Sequence, residues 1–408
     1  MAVDFLVSIL GIISLFTVAF LFSENRQAIK WRTVLGAFFI QILFAGFILY
    51  VPIGRTILNG ISTAVSDIIA YGRVGTEFLF GDLAQYKLGF IFAVNVLPTI
   101  VFFSALISVL YYLGIMGWII KTIGGGLHRF LGTTRTESMS ATANIFVGSV
   151  EAPLVVRPFL AKMSRSELFA VMVGGLASVA GGTMVGYAGL GVELRYLIAA
   201  SFMSAPAGLM MAKLIVPQTE EIDESTQYEE ETPDDAPVNI IDAASQGALN
   251  GLQIVFAVGA SLLAIISLIA LLNGGLHKIG ILIGFDHLSL DLIFGYLFAP
   301  VAWLIGVPWS ESMVAASLIG KKIAINEFVA FADLMTVKDQ LSEHSQAIVT
   351  FALCGFANLT SIAMLMGGLG GIVPSRRPDI ARLGMKAIFA ATLANLMSAT
   401  VAGIFLSF

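Results

Sequence analysis

Stretches of about twenty apolar residues recur along this chain, and each is long enough to cross a bilayer core about 30 Å thick as a helix. Residues 5 to 22, 33 to 52 and 91 to 113 form three of them. Residues 166 to 190, 196 to 216, 251 to 273, 346 to 370 and 385 to 406 form five more. Inside hydrocarbon every backbone N–H and C=O must be satisfied within the protein, which leaves helices or closed barrels, and runs of this length select helices. Over 408 residues the composition is 57% hydrophobic and 12% charged, with a mean hydropathy of +0.91, so lipid is the solvent for most of the surface. The expected fold class is an all-α polytopic membrane protein. The run at 5 to 22 is read as a span and not a leader, because no Lys or Arg precedes it and no small-residue cleavage site follows.

Several function classes fall away on composition. Cys354 is the single cysteine, so an internal disulfide is impossible, and His128, His277, His287 and His344 lack metal-ligand spacing. No basic patch exists on which nucleic acid would bind. The formal net charge of -5 traces to one stretch, TEEIDESTQYEEETPDDAP at 219 to 237, read as a solvated linker between two hydrophobic halves. Forty-one glycines fit close helix packing and broken helices.

Orientation follows from the basic residues, which collect on the cytoplasmic side of membranes. They fall in four clusters: Arg26, Lys30 and Arg32; Lys121, Arg129 and Arg135; Lys162 and Arg165; and Arg376, Arg377, Arg382 and Lys386. Placing all four in the cytoplasm gives eight crossings with both termini periplasmic, provided that residues 137 to 165 and 308 to 336 enter and leave on one side. Both segments are interrupted in mid-run, by Gly148, Glu151 and Pro153 in the first and by Lys321, Lys322, Asn326 and Glu327 in the second. They are expected to be re-entrant hairpins with tips at a common internal site, because charge at membrane depth persists only where protein or water satisfies it. The helices after them share a core, GLASVAGG from Gly175 and GFANLTSI from Gly355. By the charge count the hairpins open to opposite sides, which makes the halves inverted repeats of the kind found in alternating-access transporters. Residues 55 to 73 read as an interfacial amphipathic helix, and 291 to 307 as a peripheral or scaffold helix.

Glu151 and Glu327 are the sharpest chemical signals, since an intramembrane carboxylate costs at least ~2.5 kcal/mol and persists only with a partner or a task. Either they pair with Arg157 or Lys321, or they accept hydrogen bonds from a polyhydroxyl ligand such as a sugar ring. Asn358 and Ser361 share one helical face, beside Thr360 and Phe356. Asn144, Ser178 and the backbone near Val147 and Val179 offer hard oxygens at a broken helix, the type of site that coordinates Na+, although inter-helix hydrogen bonds explain them equally well.

The motifs ESMSATANIFVG, EAPLVVRPF, GLASVAGG, NEFVAF, ALCGFANLTSIAML, GGLGG and RRPDIARLG, in that order, resemble the concentrative nucleoside transporter family, most closely its bacterial members. The resemblance implies Na+-coupled import of nucleosides through a bacterial inner membrane by a homotrimer of the elevator type, with Na+ as coupling ion and no organic cofactor. It implies scaffold helices at 1–90 and 91–120, a first transport repeat at 121–216, an acidic cytoplasmic linker at 217–250, further scaffold helices at 251–307 and a second transport repeat at 308–408. It further implies that Glu151, Glu327, Asn358 and Ser361 bind ribose, that Phe356 contacts the nucleoside, and that Asn144, Val147, Ser178 and Val179 hold Na+, the two valines through main-chain oxygens. A proton-coupled nucleoside carrier is the nearest alternative; a cation channel or a carrier of another small polar solute is more distant.

One departure stands out. Where many members have Gln-Thr before the first glutamate to bond the nucleobase, this chain has Ser149 and Val150. Unmet polar edges of a buried base cost about 1–3 kcal/mol each, which predicts weak discrimination for uridine with ribose contacts retained. In uptake competition, the double substitution Ser149→Gln, Val150→Thr is expected to raise uridine affinity about tenfold or more; equal or better affinity in the unaltered chain would count against this reading.

Overall fold

The computed structural model describes residues 2–85, 89–149, 151–220, 237–285 and 287–407. Val150 and most of the acidic stretch, 221 to 236, lie outside them. The chain is 83% helix, with no strand among the described residues, as the apolar runs require.

The first half opens with α1 (Ala2–Leu21) and α2 (Trp31–Ala45). A π-helical turn, Gly46–Tyr50, leads from α2 to Pro52, which starts the amphipathic α3 (Pro52–Phe80). This helix runs well past the expected 55 to 73 and leaves Ile53, Tyr71, Val74 and Phe78 exposed. Then come α4 (Phe92–Asn95), α5 (Leu97–Tyr112) and α6 (Ile115–Leu131). The first interrupted segment is α7 (Arg135–Ala143), a turn, and a 3-10 helix Ala152–Phe159 in which Pro153 and Pro158 remove donors that an α-helix would use. It is followed by α8 (Arg165–Ala177), α9 (Gly181–Leu190) and α10 (Leu194–Ile215). Both α7 and α8 start at capping boxes legible in the sequence, Thr134 with Glu137 and Ser164 with Glu167.

The second half begins with the long α11 (Ile240–Leu282) and α12 (Leu290–Leu304). The second interrupted segment is α13 (Trp309–Ala324) with α14 (Glu327–Val337). Next come α15 (Glu343–Leu353), α16 (Ser361–Gly367), α17 (Leu369–Ile372) and α18 (Arg377–Leu406). The apolar run at 346 to 370 is therefore not one helix, because α15 stops at Leu353 and the chain resumes only at Ser361. Residues 291 to 307 are packed closely on α13, which they meet at 116°.

On length and composition, six helices among the described residues are able to cross a membrane. Their burial differs sharply: the apolar window within 165–190 is 100% buried, that of α10 94%, and that of α11 0%. The core thus lies around α8, α10 and α18, which pack on one another, whereas α11 lies against α5 at the periphery. Helices α1 and α2 join the core, resting on α18 and α10 respectively.

The four basic clusters converge at one end of this bundle. Glu24, in the α1–α2 connection, bridges Arg165 and Lys386, the Thr33 hydroxyl donates to Leu131 O at 2.8 Å, and Arg376 donates to Met163 O. The Arg165 guanidinium holds the Glu24 carboxyl below the ordinary carboxylate range, against an opposing effect of partial burial and with help from Lys386. A carboxylate whose pKa falls on folding stabilises the fold above its unfolded pKa, near 4.3, and that contribution disappears as pH drops through the folded value. Glu24→Gln is therefore expected to cost about 0.5–1 kcal/mol near neutral pH, since the cluster is partly exposed. The gap in melting temperature from the unaltered protein should close below about pH 4; a gap unchanged across the whole range would refute this account.

Candidate functional site

The second interrupted segment breaks where Asn326, in extended backbone, caps α14 by accepting a hydrogen bond from Val329 N at 2.9 Å. That cap places Glu327 in the first turn of α14, where the helix dipole favours a carboxylate, and places Lys321 and Lys322 in the last turn of α13, where it favours cations. Glu327 is 4% exposed, and neighbours hold both of its oxygens. Tyr187 donates its hydroxyl to Oε1 at 3.0 Å, and Asn358 donates Nδ2 to Oε2 at 2.9 Å. The ion pair considered for this residue is absent, because Lys321 turns instead to Asp291 and Asp333.

Asn358 and Ser361 are brought together as their spacing implied. Asn358 Oδ1 accepts from both the backbone N and the hydroxyl of Ser361 at 3.0 Å, and from the Thr360 hydroxyl at 2.6 Å. Ser361 Oγ also lies within hydrogen-bond reach of Phe356 O, so its single proton is shared between that carbonyl and Asn358 Oδ1. All of these lie in or beside the non-helical segment between α15 and α16, so Glu327, Asn358, Ser361 and Phe356 form one buried set.

The first interrupted segment turns differently. Glu151 accepts from Gly148 N at 2.9 Å, which folds its carboxylate back over the tip. Among the described residues no ion pair joins it to Arg157, whose side chain is exposed. Ser149, 3% exposed, donates to Met364 Sδ at 3.2 Å and so fastens this tip to α16 in the other half. The reverse link is Tyr187 on α9, which reaches Glu327. Each interrupted segment is thereby bonded to a helix of the opposite half. The distance from Glu151 to the Glu327 set is not fixed by any direct bond.

The expected cation ligands are also buried, at two adjoining helix ends. Asn144 caps the C-terminus of α7, and Ser178 and Val179 follow the end of α8. A Cβ added at Gly174 on α8 would lie 3.2 Å from Asn144 Nδ2, so the two elements touch at this point. Asn144 Nδ2 donates to Ser140 O at 2.9 Å, while Asn144 Oδ1 and Ser178 Oγ are buried without any hydrogen-bond partner. Buried oxygens are rarely left unpaired, so these two, each near a helix C-terminal end, mark groups that call for a partner. Val147 and Val179 are 4% and 0% exposed beside them.

Sequence reasoning passed over Tyr187 and Asn395 and gave Lys322 no role beyond interrupting the second apolar segment. Each is a polar side chain inside an apolar run and almost fully buried, which by itself marks a residue that needs a partner within the bundle.

Comparison with known proteins agrees with this geometry. Family models described as Na+ dependent nucleoside transporter N-terminus and C-terminus match residues 10–83 and 196–403, and a model described as nucleoside recognition gate matches 93–193. An uncharacterized transporter of Haemophilus influenzae is 55% identical over 98% of this chain and 97% of its own length. Nucleoside permease NupC of Helicobacter pylori is 50% identical over 98% of each chain. Sodium/nucleoside cotransporter 2 of Rattus norvegicus is 35% identical over 98% of this chain, which spans 62% of that larger protein. The structure of CNTnw in an inward-facing substrate-bound state, 53% identical, covers 100% of this chain and 99% of its own with a TM-score of 0.96. An outward-facing CNTnw variant at the same identity covers 100% of both chains with a TM-score of 0.97. Similarity of this extent over the whole chain leaves one assignment: the protein is a membrane transporter, not an enzyme, and belongs to the Na+-dependent concentrative nucleoside transporter family.

Proposed function

We propose that this chain is a secondary active symporter that imports nucleosides together with Na+ across a bacterial inner membrane. The observation that supports this reading best is Glu327, a buried carboxylate whose oxygens are aligned by Tyr187 and Asn358 at the N-terminus of a half-helix. Such a carboxylate is an acceptor for ribose hydroxyls, with Asn358 and Ser361 adding further polar groups and Phe356 an apolar surface. Glu151, at the tip of the opposite hairpin, is the second ribose acceptor in this proposal. Ser149 and Val150 replace the groups that would bond a nucleobase edge, so ribose supplies most of the polar recognition.

Na+ is assigned to Asn144, Val147, Ser178 and Val179, a reading favoured by the unpaired oxygens of Asn144 and Ser178. Bound there, it would draw the end of α7 towards the break after α8 and order the first hairpin before the nucleoside site closes. An elevator mechanism is consistent with the packing: α8, α10, α15 and α18 pack on one another as one body, while α3 and α11 stand against α5, which meets that body through α9. In this proposal the scaffold helices, α1 and α2 among them, are stationary, and the core on which α1 and α2 rest moves against them. The apolar outer faces of α3 and α11 suit lipid and the contacts of a homotrimer. Both termini are placed in the periplasm, with the convergent basic clusters in the cytoplasm.

An inward-negative potential of 100 mV contributes about 2.3 kcal/mol per charge, enough to concentrate solute tens-fold. Proteoliposomes are therefore expected to accumulate labelled adenosine or uridine only under an inward Na+ gradient. Equilibration that ignores the gradient would reduce the protein to a facilitator, and accumulation that survives replacement of Na+ by choline at fixed pH would favour proton coupling. In the same assay Ser178→Ala should raise the Na+ concentration for half-maximal uptake by about tenfold, the effect of ~1.4 kcal/mol.

Removing the charge of Glu327 probes the ribose site separately. Hydrogen bonds to charged groups contribute about 1.5–3 kcal/mol, so Glu327→Gln should weaken nucleoside affinity by roughly 10- to 100-fold. The loss should shrink for 2′,3′-dideoxy analogues, which lack the hydroxyls concerned. Unchanged accumulation in Glu327→Gln would sink the assignment.

A further inference from the structure

Asn395 lies in the middle of α18, 2% exposed, in an otherwise apolar run. Its side-chain amide is fully used. Oδ1 accepts from Lys322 Nζ at 2.8 Å, and Nδ2 donates to Ala177 O at 2.7 Å and to Cys354 O at 2.9 Å. Ala177 is the last residue of α8 and Cys354 follows the last residue of α15, so one NH2 group caps the broken helices of both halves. Carbonyls at a helix end have no partner within the helix, and in a water-free interior an external donor must supply one.

The approach is close enough to exclude any side chain at residue 355. A Cβ on Gly355 would lie 2.5 Å from Asn395 Oδ1 and 2.9 Å from Ala177 O. Lys322, 1% exposed and in the last turn of hairpin 2's first arm, completes the cluster, and its charge also acts on Glu327.

What stands on either side of these bonds gives them meaning. Ala177 directly precedes Ser178 and Val179 of the cation set, whereas Cys354 opens the segment that carries Phe356, Asn358 and Ser361. We propose that Asn395, oriented by Lys322, is the positioning residue that couples the cation site to the nucleoside site. The proposal rests on the Na+–nucleoside symport reading. A displacement of Ser178 and Val179 on cation binding moves Ala177 O, and the shared amide transmits it to the Cys354 segment and, through Lys322, to hairpin 2. Coupling is then a property of one hydrogen-bonded junction between the halves, and neither ligand touches it.

Linkage supplies the test, because Na+ must change nucleoside affinity by the same factor by which nucleoside changes Na+ affinity. Binding of adenosine and of uridine is measured by calorimetry on the full-length protein in nanodiscs, in Na+ and in choline. Asn395→Asp keeps an acceptor for Lys322 but loses both donors. Its Na+-free nucleoside affinity should stay within about threefold of the unaltered protein, while the Na+-induced gain, typically about 5- to 150-fold for coupled sites, falls towards unity. Ser398→Ala removes another buried α18 bond, that from Gln41 at 2.9 Å, and should leave the gain intact.

Lys322→Gln, which keeps a donor for Asn395 Oδ1 but removes the charge, should give an intermediate loss and carries the test if Asn395→Asp does not fold to a monodisperse protein. An undiminished gain in either folded variant overturns the proposal and leaves the symport reading standing. Absence of any Na+-induced gain in the unaltered protein overturns both.

Discussion

A polar group without a partner in hydrocarbon costs several kcal/mol, and every irregular feature of this structure is arranged around that constraint. Continuous helices satisfy themselves, so they can stand at the periphery, as α11 does with none of its apolar window buried. Interrupted helices cannot, and the ends of α8, α13 and α15 are found inside the bundle, where Asn326 caps the helix that follows α13 and Asn395 donates to Ala177 O and Cys354 O at the ends of α8 and α15. The burial of α8 and α10 follows from this need as much as from their apolarity.

Exposing helix ends to one another creates sites. Half-helix N-termini favour anions and C-termini favour cations, and the chain uses both. Glu327 stands at an N-terminus, Lys321 and Lys322 at a C-terminus, and the unpaired oxygens of Asn144 and Ser178 at two more C-terminal ends. Cross-links between halves, Tyr187 to Glu327 and Ser149 to Met364, join the polar side chains of the first half of the chain to those of the second. A transporter benefits from such links, since relative movement of the parts is then felt at the ligands.

Most of the fold and much of the site were legible in the linear chain. Glu151 and Glu327 announced themselves as charges in apolar runs, and the Asn358–Ser361 pair by helical spacing, although the structure forms it in a non-helical segment. Three features were not visible. The break between α15 and α16 hides within a run whose composition is that of a single helix, because nothing local forbids a helix from Cys354 to Thr360. The length of α3 exceeds its polar core, since amphipathic periodicity continues to Phe80 without a stop signal before Gly81. The partners of Lys321 and Lys322 were not visible either, because adjacent side chains on a helix point to different faces and find different neighbours: Asp291 and Asp333 for one, Asn395 for the other.

Hydropathy and charge distribution alone determined that the chain is a helical membrane protein with two interrupted segments, because partition between lipid and water depends on composition over twenty residues and not on contacts. Which buried groups meet was decided only in three dimensions. Asn395 lies 218 residues from Ala177 and 73 from Lys322 along the chain, and Tyr187 lies 140 from Glu327. Hydrogen bonds act over about 3 Å, so nothing in local sequence specifies such pairs, and the packing of α8, α15 and α18 selects them.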